Sequence, residues 1–286
     1  MKYYLSGLIA LLSLVNVVAQ NSTPYWRDMH VLSVNKQAPR TSFMTYESKG
    51  NALSQEYEHS KYYRSLNGTW DFYYTEDQRQ LPDDITKPVN SSKWHSIKVP
   101  GNWEMQGFGT AIYVNQPYEL QPINPQPPLL PDATPVGVYR RTIEIPDDWD
   151  GRDIYLHMAG AKSGVYVYLN GKEVGYSEDS KDPAEFLLNP YLQNGENTLT
   201  VKMYRWSTGS YLECQDFFRM SGFERDVCLW SQAKTAIHDF RVVSTLDDGY
   251  KDGIFRLGID IKNTKNASSS AKVSYQLLDD ELKPVL

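Results

Sequence analysis

Gly164-Val165-Tyr166-Val167-Tyr168-Leu169-Asn170-Gly171-Lys172-Glu173-Val174-Gly175-Tyr176 is the stretch from which the fold is read. Its first six residues alternate at a period of two, the spacing that sends successive side chains to opposite faces of a strand. Asn170-Gly171 follows, the dipeptide that most often closes a two-residue hairpin. The run then resumes toward Tyr176. A hairpin of this kind needs further strands to be stable, so the flanking sequence is expected to supply them.

It does so on both sides. Residues 69–74 (TWDFYY) follow the turn Asn67-Gly68, and residues 137–145 (GVYRRTIEI) alternate until Pro146 stops them. Residues 153–158 (DIYLHM), 198–205 (TLTVKMYR) and 226–231 (DVCLWS) read as three more strands. Helical periodicity is nearly absent, which points to an all-β sandwich or barrel. Residues 116–135 are dense in proline and too apolar for a flexible linker, and they are expected to form an ordered loop across the sandwich. Composition shifts near residue 232, after which residues 236–245, 253–261 and 271–278 read as the three-stranded start of a second sandwich. The expected division is residues 1–19, 20–232 and 233–286.

The ends and the charge bound the setting. Lys2, the apolar residues 5–18 (LSGLIALLSLVNVV) and Ala19 read as a cleaved export signal, too short for a membrane span. A formal net charge of −6 argues against nucleic acid and anionic membrane as partners. Aromatic residues make up 13% of the chain, with 21 tyrosines and 7 tryptophans. That composition suits strands, and it also suits a wet, partly apolar sugar-binding surface. Two cysteines, Cys214 and Cys228, are no disulfide framework, and whether they bridge stays open. The five histidines are scattered, so neither a zinc site nor a Ser-His-Asp triad is expected.

Residues 205–227 (RWSTGSYLECQDFFRMSGFERDV) hold charges of both signs among aromatic rings. Buried charges must be paired, so Arg205, Arg219 and Arg225 are expected to pair with Glu213 and Asp216. Nearby guanidinium groups would keep those carboxylates ionised, which suits an ion-pair cluster and disfavours a general acid. No catalytic residue is nominated in this chain.

With these residues in view, the chain resembles the N-terminal part of family 2 glycoside hydrolases of the large β-galactosidase type. The resemblance rests on five motifs in register. They are Arg64-Ser65-Leu66-Asn67-Gly68-Thr69-Trp70, residues 99–107 (VPGNWEMQG), Ile112-Tyr113-Val114-Asn115, residues 175–180 (GYSEDS) and the segment 205–227 itself. It implies a jelly-roll sugar-binding sandwich followed by an incomplete immunoglobulin-like sandwich. It also implies that a catalytic barrel carrying both catalytic glutamates lies outside this chain, that the chain alone does not hydrolyse galactosides, and that the complete enzyme is an oligomer.

The resemblance further implies that Asn115 and Asp179 contact a β-galactoside and that Asp179 is one ligand of a sodium ion. An amide offers donor and acceptor together, and a carboxylate oxygen suits a hydroxyl or a hard cation. Each could instead be an ordinary turn residue. Phe218 stands where the family usually has tryptophan, Phe223-Glu224 replace an apolar-aromatic pair, and Cys214 takes a position often acidic. The competing reading is a free-standing, non-catalytic carbohydrate-binding module.

Overall fold

In the computed structural model the Asn170-Gly171 turn closes the expected hairpin, with φ of 53° and 80° at its two central residues. Positive φ at both positions gives the turn a twist that matches the strands it joins. The structure describes residues 23–87, 93–115, 118–121 and 123–285. The expected export signal therefore lies outside the described residues, as do Gln116, Pro117 and Pro122 of the proline-rich loop.

The hairpin sits in a seven-stranded antiparallel sheet. Its spatial order is Ser33–Val34, Lys172–Ser177, Gly164–Leu169, Glu196–Tyr204, Val136–Glu144, Gly68–Thr75 and Trp94–Val99. A four-stranded sheet of Ala184–Leu187, Asp153–Met158, Val227–Gln232 and Tyr63–Ser65 packs against it. The core between them joins Trp70, Phe72, Val165, Val167, Leu169, Val201 and Met203 of the first sheet to Leu156, Met158, Phe186, Val227 and Leu229 of the second. Each such side chain, fully buried, contributes about 1.5–3 kcal/mol. The chain is all-β and its main body is a β-sandwich.

The opposite face of the large sheet is buried too. Tyr166, Tyr176 and Tyr204 belong to a second cluster with Trp26, Leu120, Leu130, Trp206 and Tyr211. Trp26 stacks on Tyr204 at 4.5 Å and Tyr25 on Tyr166 at 5.6 Å. The proline-rich loop supplies Leu120 and Leu130 and is pinned by Arg27, whose guanidinium donates to the carbonyl of Pro131. Both faces of the large sheet are thus covered, the second by segments without strand periodicity of their own.

Lys202 is trapped in this second layer. Its Nζ lies 4.3 Å from the ring centroid of Tyr166, 5.3 Å from Tyr204 and 5.8 Å from Tyr168. Burial pulls its pKa down to about 8, with Glu173 pulling the other way. Between that value and the ordinary 10.5 the unfolded chain binds more protons than the folded one, so stability rises with pH across the window. Below it, the folded state must hold a poorly solvated ammonium.

The last strands form a two-stranded ribbon, Thr235–Leu246 with Gly253–Asn263. It is fastened to the sandwich rather than hanging from it. Asp153, buried at the start of its strand, accepts from Lys234 Nζ and from Thr264 Oγ1, the latter at 2.6 Å. Thr41 Oγ1 donates to the carbonyl of Phe240 at 2.9 Å, and Asp239 accepts from the Thr41 N–H at 2.9 Å.

The third strand expected at residues 271–278 does not form. Among the described residues its one β-pairing is an isolated bridge, Leu278 to Pro284. Its alternating Val273 and Tyr275 remain 38% and 60% exposed. With no apolar face to lie on, alternation alone does not stabilise a strand.

The half-buried Lys202 ammonium has a measurable effect on stability. Lys202→Met is expected to be more stable than the parent at pH 7 and to lose the rise in stability that the parent shows above pH 8. Urea unfolding at a series of pH values measures both, and parallel pH curves for parent and variant would refute it.

Candidate functional site

The segment 205–227 leaves the large sheet after strand Glu196–Tyr204 and turns through the short helix Thr208–Tyr211. Ser207 and Ser210 cap that turn reciprocally, each side chain accepting from the other's N–H. Phe217–Arg219 then pairs with Ile112–Val114, and Gly222–Phe223 pairs with both Gly101–Asn102 and Ala161–Lys162. The segment thus gathers the loops at one end of the sandwich.

Its charges find partners outside the expected set. Arg205 is buried, donates to the carbonyls of Thr110 at 2.9 Å and Arg219 at 3.0 Å, and sits 3.6 Å from Glu104 Oε1. Arg219 is 1% exposed, donates to the carbonyl of Glu213 at 3.2 Å and lies 3.3 Å from Glu119 Oε2. Glu104 comes from the VPGNWEMQG motif and Glu119 from the proline-rich loop, and neither was nominated from sequence. Burial pushes the Glu104 carboxyl upward against the Ser221 N–H and Arg205. Arg225 is exposed and donates to the carbonyl of Lys181. Asp216 is also exposed and accepts from Tyr113 Oη at 2.8 Å. The two acids expected to neutralise the arginines are therefore spent on loops. Only the requirement that each buried guanidinium meet an acid could have pointed to Glu104 and Glu119.

Glu213 has the most specific task. Its two carboxylate oxygens accept from the N–H and the Oγ–H of Ser180, each at 2.6 Å. On the other side of Asp179, the buried carboxylate of Glu178 accepts from Tyr176 Oη at 2.7 Å and from the Gly209 N–H at 2.5 Å, with Thr208 Oγ1 at 3.1 Å from both oxygens. Desolvation raises the Glu178 pKa in spite of these donors. Asp179 between them is exposed and takes φ +76°. A residue other than glycine in that region stores about 1–3 kcal/mol, a strain its anchored neighbours must hold. No protein donor reaches the Asp179 carboxylate among the described residues. Such a carboxylate is available to a hydroxyl or a hard cation.

Asn115 stands exposed just past strand Ile112–Val114. Val114 faces Phe217 in the ladder, and the Phe217 ring lies 5.2 Å from Lys181 Nζ and 4.7 Å from Lys162 Nζ. Asn115 and the Asp179 loop are thus tied to the same residue from two sides. Lys162 is buried, and desolvation lowers its pKa while Glu213 opposes the shift. The Tyr113 and Phe218 rings meet beside this point at 5.2 Å with a tilt of 54°, 56% and 54% exposed. Cys214 and Cys228 are free thiols, and burial pushes Cys228 up to about 12. Among the described residues no three His, Cys, Asp or Glu side chains group as a metal site.

The Ser180 clamp is testable on its own. Glu213→Ala leaves two buried donors without an acceptor and is expected to lower stability by about 1–3 kcal/mol. It is also expected to speed amide exchange at Ser180, and Glu213→Gln should restore part of both because one carboxamide oxygen still accepts. Urea unfolding and hydrogen exchange read the two effects. Unchanged exchange in Glu213→Ala would remove the clamp.

Residues 63–233 match the profile described as "Glycosyl hydrolases family 2, sugar binding domain". A β-galactosidase of Priestia megaterium is 40% identical over 247 residues, which is 85% of this chain and 24% of that protein. One from Alteromonas mediterranea is 34% identical over 277 residues, covering 94% of this chain and 25% of that protein. The chain spans about a quarter of the length of the curated relatives it matches. Among solved structures, an uncultured Clostridium β-glucuronidase superposes with a TM-score of 0.56 at 22% identity, over 78% of this chain and 37% of that one. A Ruminococcus gnavus β-glucuronidase gives 0.58 at 18%, over 79% and 37%.

Proposed function

The chain belongs to glycosyl hydrolase family 2, and on that premise we propose that it forms the sugar-binding region of a β-galactosidase. In this reading Asn115 and Asp179 meet the hydroxyls of a terminal β-D-galactoside. The observation that carries it is the Asp179 carboxylate, exposed and unclaimed between two tightly held neighbours. The names and identities of the curated relatives support the galactoside.

The division of labour follows from the carboxylates. Retaining hydrolysis needs two carboxyl groups about 5–5.5 Å apart, one to protonate the leaving oxygen and one to attack the anomeric carbon. Glu178, Glu213, Glu104 and Asp216 each hold protein donors here. They suit bracing, and the two reacting groups are assigned to the part of the enzyme outside this quarter. This chain's residues bind and orient: the Asn115 amide both donates and accepts, and Asp179 accepts from a hydroxyl. Asp179 also fits a sodium ion as one oxygen ligand, with the others supplied from elsewhere. Bound there, the cation would fix a sugar hydroxyl by charge and coordination.

Two measurements test the assignment. In a chimera where this chain replaces the matching quarter of the Priestia megaterium enzyme, Asn115→Ala and Asp179→Ala are each expected to lower kcat/KM for an aryl β-galactoside about ten- to hundredfold, the range of a hydrogen bond to a charged or well-placed group. Parent-like kinetics in both variants would remove the substrate role. The purified 286-residue chain is expected to release no chromophore from the same substrate, and turnover by it would place reacting carboxylates within this region.

A further inference from the structure

The four-stranded sheet has an outer face that the core does not use. Residues 36–44 cross it as a strap, and between strap and sheet lies a cavity of about 450 Å³. That volume falls within the range of small-molecule sites. One wall is held by a polar network around Glu185. Arg40 on the strap donates to Glu185 from Nε at 3.2 Å and from Nη2 at 2.9 Å. Trp230 Nε1 donates to the same carboxylate at 2.9 Å, and His157 Nδ1 lies 2.9 Å from it. The Arg40 guanidinium also lies 4.6 Å from the Trp230 ring and 4.8 Å from Phe43. The strap is therefore latched to the sheet beside the cavity.

The mouth is chemically different from the wall. Tyr57, 40% exposed, and the exposed Asp179 and Asp182 all line the cavity. Neither aspartate has a hydrogen bond or ion pair to the protein among the described residues. Asp226 at the mouth accepts from Asn67 Nδ2 at 2.9 Å. An exposed ring beside unclaimed acceptors is a lining for stacked, hydroxylated rings. Lys36 and Arg225 line the cavity as well, so its carboxylates and cations are nearly balanced, which suits an uncharged ligand. The cavity also shares Asp179 with the site described above, so a ligand held there continues into it.

We propose that this cavity binds a further sugar unit of the substrate, and that the natural ligand is accordingly a neutral β-galacto-oligosaccharide reaching from Asp179 past Asp182 to Tyr57. The inference rests on the reading that Asp179 meets the sugar. Every wall of the cavity comes from the described residues, so binding there is measurable on this chain.

The experiment is calorimetric titration of the 286-residue chain with β-1,4-galactotetraose and with methyl β-D-galactoside. The tetraose is expected to bind at least tenfold more tightly than the monosaccharide. Tyr57→Ala and Asp182→Asn, both at exposed positions, are each expected to weaken the tetraose at least fivefold without changing Tm. Undetectable tetraose binding, equal affinity for the two sugars, or a tetraose affinity indifferent to both variants would overturn the proposal. Asp179→Asn separates it from the reading on which it rests. Weakening by Asp179→Asn alone overturns the cavity and keeps the role of Asp179. Weakening by Tyr57→Ala and Asp182→Asn but not by Asp179→Asn supports the cavity and overturns that role.

Discussion

A sheet with aliphatic side chains on one face and tyrosines on the other cannot be finished by a single layer of packing. Val165, Val167 and Leu169 face the sandwich core while Tyr166 and Tyr168 face away from it. Leaving the second face wet would expose a large apolar area, and covering it requires chain without a ladder of its own. The segment around Tyr25 and Trp26 and the proline-rich loop meet that demand. Much else follows. The loop that covers the tyrosines also carries Glu119 to Arg219, and so helps hold the segment from which the Asp179 loop is braced.

Strands with strong alternation and clear turns were legible from residue order. Gly164–Leu169 and Asp153–Met158 match the expected bounds, and the neighbouring strands differ by a residue or two at their ends. Tyr63–Ser65, Ala184–Leu187 and Ile112–Val114 were not legible, because each is short and held by its neighbours rather than by its own pattern. The stretch 271–278 shows the converse, alternation with nothing to lie on.

The wiring around the candidate residues was not legible in the sequence. Asn115 and Asp179 were reached through motifs, whereas their supports come from contacts far apart in sequence. Glu213 to Ser180 spans 33 residues, Arg205 to the Thr110 carbonyl 95, and Ser221 to Glu104 117. Charge balance within a segment predicts that buried arginines need acids but not which acids, since β topology joins distant parts of the chain.

Under the proposed reading, in which Asp179 meets a sugar, its latched neighbours also bear on the rate at which that sugar arrives. Tyr176, Thr208, Gly209 and Glu213 fix the loop through groups that no sugar needs to displace. A receptor already in its binding shape loses little chain entropy on association. Encounter is then governed by diffusion and orientation rather than by loop closure, and differences between ligands are carried by how long each one stays.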